Sequence, residues 1–285
     1  MHITLLHDLI RRDDKLLIQA LEKRPEIQLD LLDSRQLTFE LGKNHRTTDL
    51  VVGRCISHSR NVASLRMFEA MGTPTLNRAD VAEICGDKLR TSIALQNASV
   101  PQPQLQIAFT PEAALEAMTC MGYPVVLKPC SGSWGRLIAK INDRDAAEAL
   151  LEHKATLGQV QHSIFYIQEY VPKRGRDIRA FVLGDQTIAA IYRESDHWKT
   201  NTALGAITRP CPITNELNLI ATRAAKAVGG GILAIDLFES DRGLLVNEIN
   251  DTMEFKNSIE PTGVNIPDLM ADYILQAAIS EVAFA

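Results

Sequence analysis

Val246-Asn247-Glu248-Ile249-Asn250-Asp251-Thr252-Met253-Glu254-Phe255-Lys256-Asn257-Ser258 is the stretch from which the rest of the chain is best approached. It continues Leu244-Leu245 with the period-2 alternation of a strand. On that strand Leu244, Val246, Glu248 and Asn250 share one face, and Leu245, Asn247 and Ile249 take the other. Upstream, Gly231 to Phe238 reads as a second strand, and Glu239 to Gly243 as a five-residue turn, so the two segments form a hairpin. With Phe238 facing Leu244, Asp236 faces Val246 and stands diagonally beside Glu248, about 7–8 Å away at the backbone. Asp236, Glu248 and Asn250 are then oxygen ligands suited to Mg²⁺ that also keeps waters and nucleotide phosphates. A polar, solvated hairpin is the plain alternative. The acids are embedded in Leu/Ile/Val strands, where an unpaired charge is costly, and this favours the metal.

Working outward, 285 residues with 46% hydrophobic and 23% charged content can bury a sizeable core and fill two or three small domains. The net charge is -5, with no Lys/Arg block, so nucleic acid is not an expected partner. Five scattered cysteines without a C-x-x-C pair point to reduced thiols. The first residues lack the basic and long apolar regions of a signal peptide, and no stretch approaches the ~20 apolar residues of a membrane span. A soluble cytoplasmic protein, not bound to a membrane, is the expectation; a homo-oligomer is expected as well.

Three units follow from the alternation of elements. Residues 1–86 alternate strands and helices, implying a small open α/β sheet. Its arginines, Arg54, Arg60 and Arg66, make an edge that could meet an acidic partner, although ordinary solvated surface is the commoner role. Residues 87–165 hold a helix over Asp87–Asn97, a helix opened by Thr110-Pro111-Glu112 and ended by Gly122, a short strand Val125–Lys128, and a returning strand Leu137–Ile141. Residues 166–285 contain a hairpin about Gly184-Asp185, an amphipathic helix Leu217–Val228, the acidic hairpin, and a closing helix from Ile266.

Lys88, Lys128 and the small-residue loop Ser131-Gly132-Ser133-Trp134-Gly135 can direct ammonium and backbone N–H groups at phosphates. The loop lacks the G-x-x-x-x-G-K-[ST] pattern, and alone it reads equally well as a turn. Gln168-Glu169-Tyr170-Val171-Pro172 is an apolar strand running into a hinge, where an adenine could meet backbone groups edge-on. An ordinary strand end explains it as well when it is taken singly.

In this order and spacing, the lysines, the loop, the Q-E-Y-V hinge, Asp177-Ile178-Arg179 and the Asp…Asn-Glu-x-Asn hairpin resemble the ATP-grasp superfamily. The closer resemblance is to its branch of ligases that extend a protein or an amino acid by one residue. Gly132–Arg136, Ser195–Thr202 and Asn250–Ser258 are similar to the LysX-type ligases, which join α-aminoadipate to a small acidic amino-group carrier protein, LysW, in lysine biosynthesis. The resemblance implies an α/β (α+β) ATP-grasp fold, with a small N-terminal domain before two domains that hold nucleotide between them.

It also implies an ATP site made of Lys88, Lys128, Ser131, Gly132, Ser133, Trp134, Gly135, Gln168, Glu169, Tyr170, Val171, Asp177, Arg179, Arg193 and Asn201. Two Mg²⁺ would sit on Asp236, Glu248 and Asn250. Arg193 and Lys128 would serve catalysis, and Ser195, Lys256, Asn257 and Ser258 would select the substrate, with Asn257-Ser258 marking aminoadipate over glutamate.

The implied chemistry is phosphorylation of the carrier's C-terminal glutamate by ATP, then attack by the α-amino group of L-2-aminoadipate. Positioning and charge neutralisation supply most of such a reaction, which suits two lysines, arginines and metals with no evident nucleophile. Arg193 would stabilise charge on the tetrahedral intermediate, and His197 stays open as a general base. A glutamate-using ligase of the same fold is the nearest alternative, and a nucleotide-binding regulator is the alternative from another class.

Overall fold

The computed structural model describes residues 1–42, 48–132, 137–157, 163–200 and 205–283. The N-terminal part places β1 (His2–His7), β2 (Gln28–Asp33), β3 (Leu50–Gly53) and β4 (Thr75–Leu76) in one parallel sheet of order β2-β1-β3-β4. Helices α1 (Arg12–Glu22), α2 (His58–Ala70) and α3 (Ala79–Cys85) connect its strands and lead out of it. Helix α4 (Lys88–Asn97) begins where Asp87 accepts from the amides of Leu89 and Arg90, a side-chain cap that places Lys88 at the first helical position.

The central sheet is antiparallel, of order β5-β8-β6-β7, from β5 (Leu105–Ala108), β6 (Val125–Lys128), β7 (Ala139–Ile141) and β8 (Phe165–Glu169). Helices α5 (Pro111–Met121) and α6 (Arg144–Leu157) cover it. Helix α5 starts on a Thr110 cap with Pro111 in its first turn and stops at Gly122, whose φ of 85° suits glycine. Ala114, Met118, Leu127, Ile141, Leu151 and Ile167 belong to a core of its own.

The C-terminal sheet, order β11-β10-β9-β12-β13, is also antiparallel: β9 (Arg176–Leu183), β10 (Gln186–Glu194), β11 (Ile207–Pro210), β12 (Ile232–Ser240) and β13 (Gly243–Asn250). One face packs on α7 (Asn215–Ala227), α3 and α4 through Ala180, Leu233, Ile235, Leu217 and Val81. The other packs on the N-terminal sheet, α1 and the last helices, α8 (Ile259–Thr262) and α9 (Ile266–Ala283). There Ile3, Leu5, Leu17, Leu50, Phe181, Ile232, Met270 and Ile274 form a single core. Among the described residues no helix is long and apolar enough to cross a membrane.

Three sequence expectations are corrected here. The acidic hairpin closes tightly, with Ser240 paired to Gly243, so its loop is Asp241-Arg242 rather than five residues. A bulge between Asp236 and Leu237 on the pairing ladder absorbs Asn247, so Asp236 stands directly opposite Glu248 instead of diagonally. Arg60 and Arg66 of the arginine edge are exposed, as ordinary surface residues are, but Arg54 is not. Arg54 is 2% exposed and donates to Asp14 at 2.8 Å, Arg60 pairs with Asp8, and Arg66 pairs with Glu83. Burying an arginine requires such a partner, and α1 supplies it. Helix α3 and strands β5 and β11 escape the sequence reading because they are short and carry no clean periodicity.

Candidate active site

Two cavities meet between the central and C-terminal sheets. Lys128 ends β6, a fully buried strand whose other residues are apolar, and is 6% exposed. Its Nζ donates to Gln168 Oε1 at 2.7 Å and Asn247 Oδ1 at 2.8 Å. Burial pushes its pKa down to about 7, with Lys88 and Lys173 lowering it further against the pull of Glu248 and Asp236. The Asp87 cap and a backbone bond from Lys88 N to Cys130 O at 2.8 Å fix the start of α4 against the Ser131 loop. Lys88 Nζ then reaches Gly132 O at 2.8 Å and lies 3.8 Å from Glu248.

The first cavity is lined by Lys88, Lys128, Gln168, Glu169, Tyr170, Val171, Lys173, Asp177, Arg193, Asp236 and Glu248, with apolar walls from Val126, Ile138, Trp198 and Phe238. Val171, Phe238 and Leu245 pack together at one end, offering an apolar slot for a planar ring. Glu169 is held by Gln104 N at 2.7 Å and by Arg242, and the ammonium of Lys140 lies 3.9 Å from the Tyr170 ring centroid.

On the β9–β10–β12 floor the charges are paired. Arg179 binds both oxygens of Asp236, at 2.7 and 2.9 Å. Arg193 does the same to Asp177 and also reaches Asp236 at 3.1 Å. Burial raises the Asp236 pKa, but the two guanidiniums outweigh it and keep the carboxyl below the usual range. Arg193 is raised in turn, its burial overcome by Asp236 and Asp177. Thr200 and Lys173 complete the cluster, the lysine donating to Thr200 Oγ1 at 2.8 Å.

The second cavity continues past Lys88, Gly132, Arg193 and Glu248, which line both. Beyond them it is walled by Arg179, Asn250, Asp251, Thr252 and Glu254 from the C-terminal part, and by Arg11, Cys55, His58 and Ser59 from the N-terminal part. A cation, an arginine and a carboxylate thus stand where one cavity opens into the other.

Asp236, Glu248 and Asn250 suit a hard, oxygen-seeking cation. Glu248 is partly exposed and faces both cavities. The Asn250 side-chain amide has a buried end, Nδ2, with no partner; turned about its axis it would offer oxygen at that place. Among the described residues no group of three His, Cys, Asp or Glu could hold a metal. Two carboxylates and one amide leave coordination positions for water and phosphate oxygens, as Mg²⁺ bound with a nucleotide prefers.

Of the sequence-derived candidates, Ser131 lies with Gly132 at the rim, whereas Ser133, Trp134, Gly135 and Asn201 lie outside the described residues. The four residues assigned to substrate choice line neither cavity. Ser258 is 2% exposed, Asn257 presents its carbonyl to Thr208, Lys256 lies 3.8 Å from Asp13, and the Ser195 hydroxyl accepts from His197 N. Asn247, Lys173 and the whole N-terminal wall of the second cavity were missed. Asn247 was assigned to the wrong face because the bulge cannot be read from alternation; the others carry no local motif.

The profile of the RimK-like ATP-grasp domain matches residues 85–274, and that of the LysX preATP-grasp domain matches residues 3–84. The chain is 40% identical over 227 residues to the alpha-aminoadipate–LysW ligase LysX of Saccharolobus solfataricus, covering 79% of this chain and 82% of that protein. It is 32% identical over 277 residues to the glutamate–LysW ligase ArgX of Sulfurisphaera tokodaii, covering 96% and 98%. The crystal structure of a RimK domain ATP-grasp protein from Sphaerobacter thermophilus superposes with a TM-score of 0.78 at 25% identity, covering 96% of this chain and 100% of that one.

Proposed function

The chain belongs to the RimK-like ATP-grasp family and is an ATP-dependent ligase of the LysX type, and from that premise we propose that it couples L-2-aminoadipate to a small acidic carrier protein of the LysW kind. The carrier's C-terminal glutamate γ-carboxylate takes the γ-phosphoryl group of ATP; the α-amino group of aminoadipate then displaces phosphate, leaving ADP and an amide. The reaction would serve lysine biosynthesis in the cytoplasm, a reducing compartment in which five unpaired cysteines are at home.

The observation that carries this reading is the pair of cavities sharing Lys88, Gly132, Arg193 and Glu248. A nucleotide in the first, with its base against Val171 and Phe238, would direct its phosphates toward Lys128 and Lys88. Gln168, Glu169 and Tyr170 line the way, and Asp177 and Arg179 hold the arginine–carboxylate floor. The carrier carboxylate and the amine would meet in the second cavity. Two Mg²⁺ held by Asp236, Glu248 and Asn250 would neutralise phosphate charge and orient the transferring group. Arg193 touches both cavities and is placed to stabilise the oxyanion formed when the amine adds. Fixed cations in a site shielded from water need no reorganisation during the reaction, which is why positioning suffices without a covalent nucleophile.

The likeness to ArgX over nearly the whole chain supports glutamate as the second reading of the amino acid. The two substrates differ by one methylene, worth about 1–3 kcal/mol of discrimination in an apolar pocket. The test is mass spectrometry of the carrier after incubation with ATP, Mg²⁺ and either amino acid. A mass gain of one aminoadipate residue, with equivalent ADP release, is expected. A gain with glutamate alone selects the second reading, and ADP release indifferent to carrier and amino acid rejects both.

A further inference from the structure

Residues 251–256, which leave β13 directly after Asn250, belong to no helix or strand. Their side chains nevertheless divide between core and cavity. Met253 and Phe255 are fully buried in the core shared with α1 and α9, while Asp251, Thr252 and Glu254 line the second cavity. Buried backbone without a ladder partner must find hydrogen bonds elsewhere. Here they come from buried side chains of the N-terminal part. Asn77 Nδ2 donates to Asp251 O at 2.9 Å, and Arg54 Nη1 donates to Met253 O at 3.1 Å. Asp13 Oδ1 accepts from Phe255 N at 2.6 Å and from Lys256 N at 2.7 Å.

Two of these three side chains are themselves tied down, and the third, Asp13, is fully buried. Asn77 also exchanges bonds with the Ile232 backbone, at 2.8 and 2.7 Å, and Arg54 is braced by Asp14 at 2.8 Å. Asp14 in turn holds Arg11, whose guanidinium reaches Glu254 at 3.1 Å. Asn77, Arg54 and Asp13 are 6%, 2% and 0% exposed. Burying an arginine and two acids is an expensive way to obtain stability, since well-packed apolar groups do it as well or better. What polar grips on a backbone supply is a fixed position for the segment.

We propose that Asp13, Arg54 and Asn77 are positioning residues for the ligation: they hold the segment after Asn250 by its backbone and so set the acceptor-side wall of the second cavity. The choice of amino acid then depends on a grip from the other end of the chain, and a displacement of about 1 Å in that wall is enough to matter. The inference rests on the reading that the second cavity receives the amino acid.

The test compares Asp13→Ala with Asp13→Asn in the full-length enzyme. Asparagine keeps an oxygen for the amides of Phe255 and Lys256; alanine does not. With whichever amino acid the wild type transfers, Asp13→Ala should raise the amino-acid KM about tenfold or more and shift the preference between aminoadipate and glutamate. Asp13→Asn should stay within about threefold of wild type. ADP affinity should be unchanged in both, because the first cavity is not touched. Equal losses in the two variants, or a parallel loss of ADP affinity, would overturn the proposal. Amide hydrogen exchange of Phe255 and Lys256 in the wild type decides the matter if Asp13→Ala does not fold. Protection like that of the β12 amides supports the grip, and exchange at loop rates refutes it. Identification of the transferred amino acid in the wild type is a separate readout, so failure of the substrate reading cannot be confused with failure of the grip.

Discussion

Asp236 on β12 stands directly opposite Glu248 on β13, yet the two carboxylates live in different surroundings. Asp236 is 3% exposed and clasped by Arg179 and Arg193, whereas Glu248 opens into both cavities with Lys88 3.8 Å away. Substitutions at the two positions should therefore fail in different ways.

Glu248→Gln is expected to leave the melting temperature near wild type and cut turnover by about 100-fold or more, because it removes anionic charge facing the phosphate path. Asp236→Asn should cut turnover as well, and should also cost about 3–5 kcal/mol by leaving buried arginines without their counter-charge. Calorimetry alongside steady-state ADP release separates the two effects. Near-normal turnover of Glu248→Gln at saturating Mg²⁺ would remove it from the site.

Nucleotide affinity should fall as pH rises above neutrality. Lys128 has a pKa of about 7 in the free protein, because burial disfavours its charged form. A polyphosphate favours the ammonium, so the bound pKa is higher. Affinity is then complete below about 7 and declines between the free and bound values, by at most about tenfold per pH unit. Titration calorimetry of ADP in EDTA at pH 8 should show proton uptake from buffer, and Lys128→Met should abolish that uptake. Uptake that survives the substitution would assign it to another group.

Asn247→Leu should weaken ADP binding about tenfold without unfolding the protein. The amide oxygen accepts from Lys128 at 2.8 Å, and its loss leaves that ammonium with its bond to Gln168. Fluorescent-nucleotide titration reads the effect; unchanged affinity would show that Gln168 alone suffices.

Gly231→Ala should be destabilising by about 2 kcal/mol or more. The residue has φ of +109°, and an added Cβ would lie 2.1 Å from Asn77 Oδ1. Chemical denaturation measures the loss. A variant as stable as wild type would mean that Asn77 can leave its bonds to Ile232 at little cost.

The sequence was most legible where a local rule sufficed. Thr110, Pro111 and Gly122 delimit α5 by capping chemistry alone, and the oxygen donors at Asp236, Glu248 and Asn250 stand out because acids among Leu and Ile need a partner. The one-residue bulge at Asn247 defeated alternation, since a shift of one residue exchanges the faces of a strand. The second cavity was beyond any local rule. Arg11 and His58 reach it from helix starts of the N-terminal part, and the grip of Asp13 on Phe255 joins positions 242 residues apart through backbone atoms that leave no trace in side-chain pattern.

The way the cores are shared divides the molecule mechanically. The N-terminal sheet and one face of the C-terminal sheet belong to one apolar cluster, sealed further by α1 and α9 and by Arg24 on Asp268 and Asp272. These parts cannot separate without exposing that cluster, so they make up the stator. The central sheet owns its core, and Lys128, Gln168 and Glu169 ride on it, meeting Asn247 and Arg242 across the first cavity through hydrogen bonds and an ion pair. Hydrogen bonds of that kind are exchanged for water at small net cost. The central part is therefore the rotor: lifting it would break such hydrogen bonds and the Val171 contact with Phe238 and Leu245, while the second cavity, built on the stator apart from Ser131 and Gly132, would keep its shape.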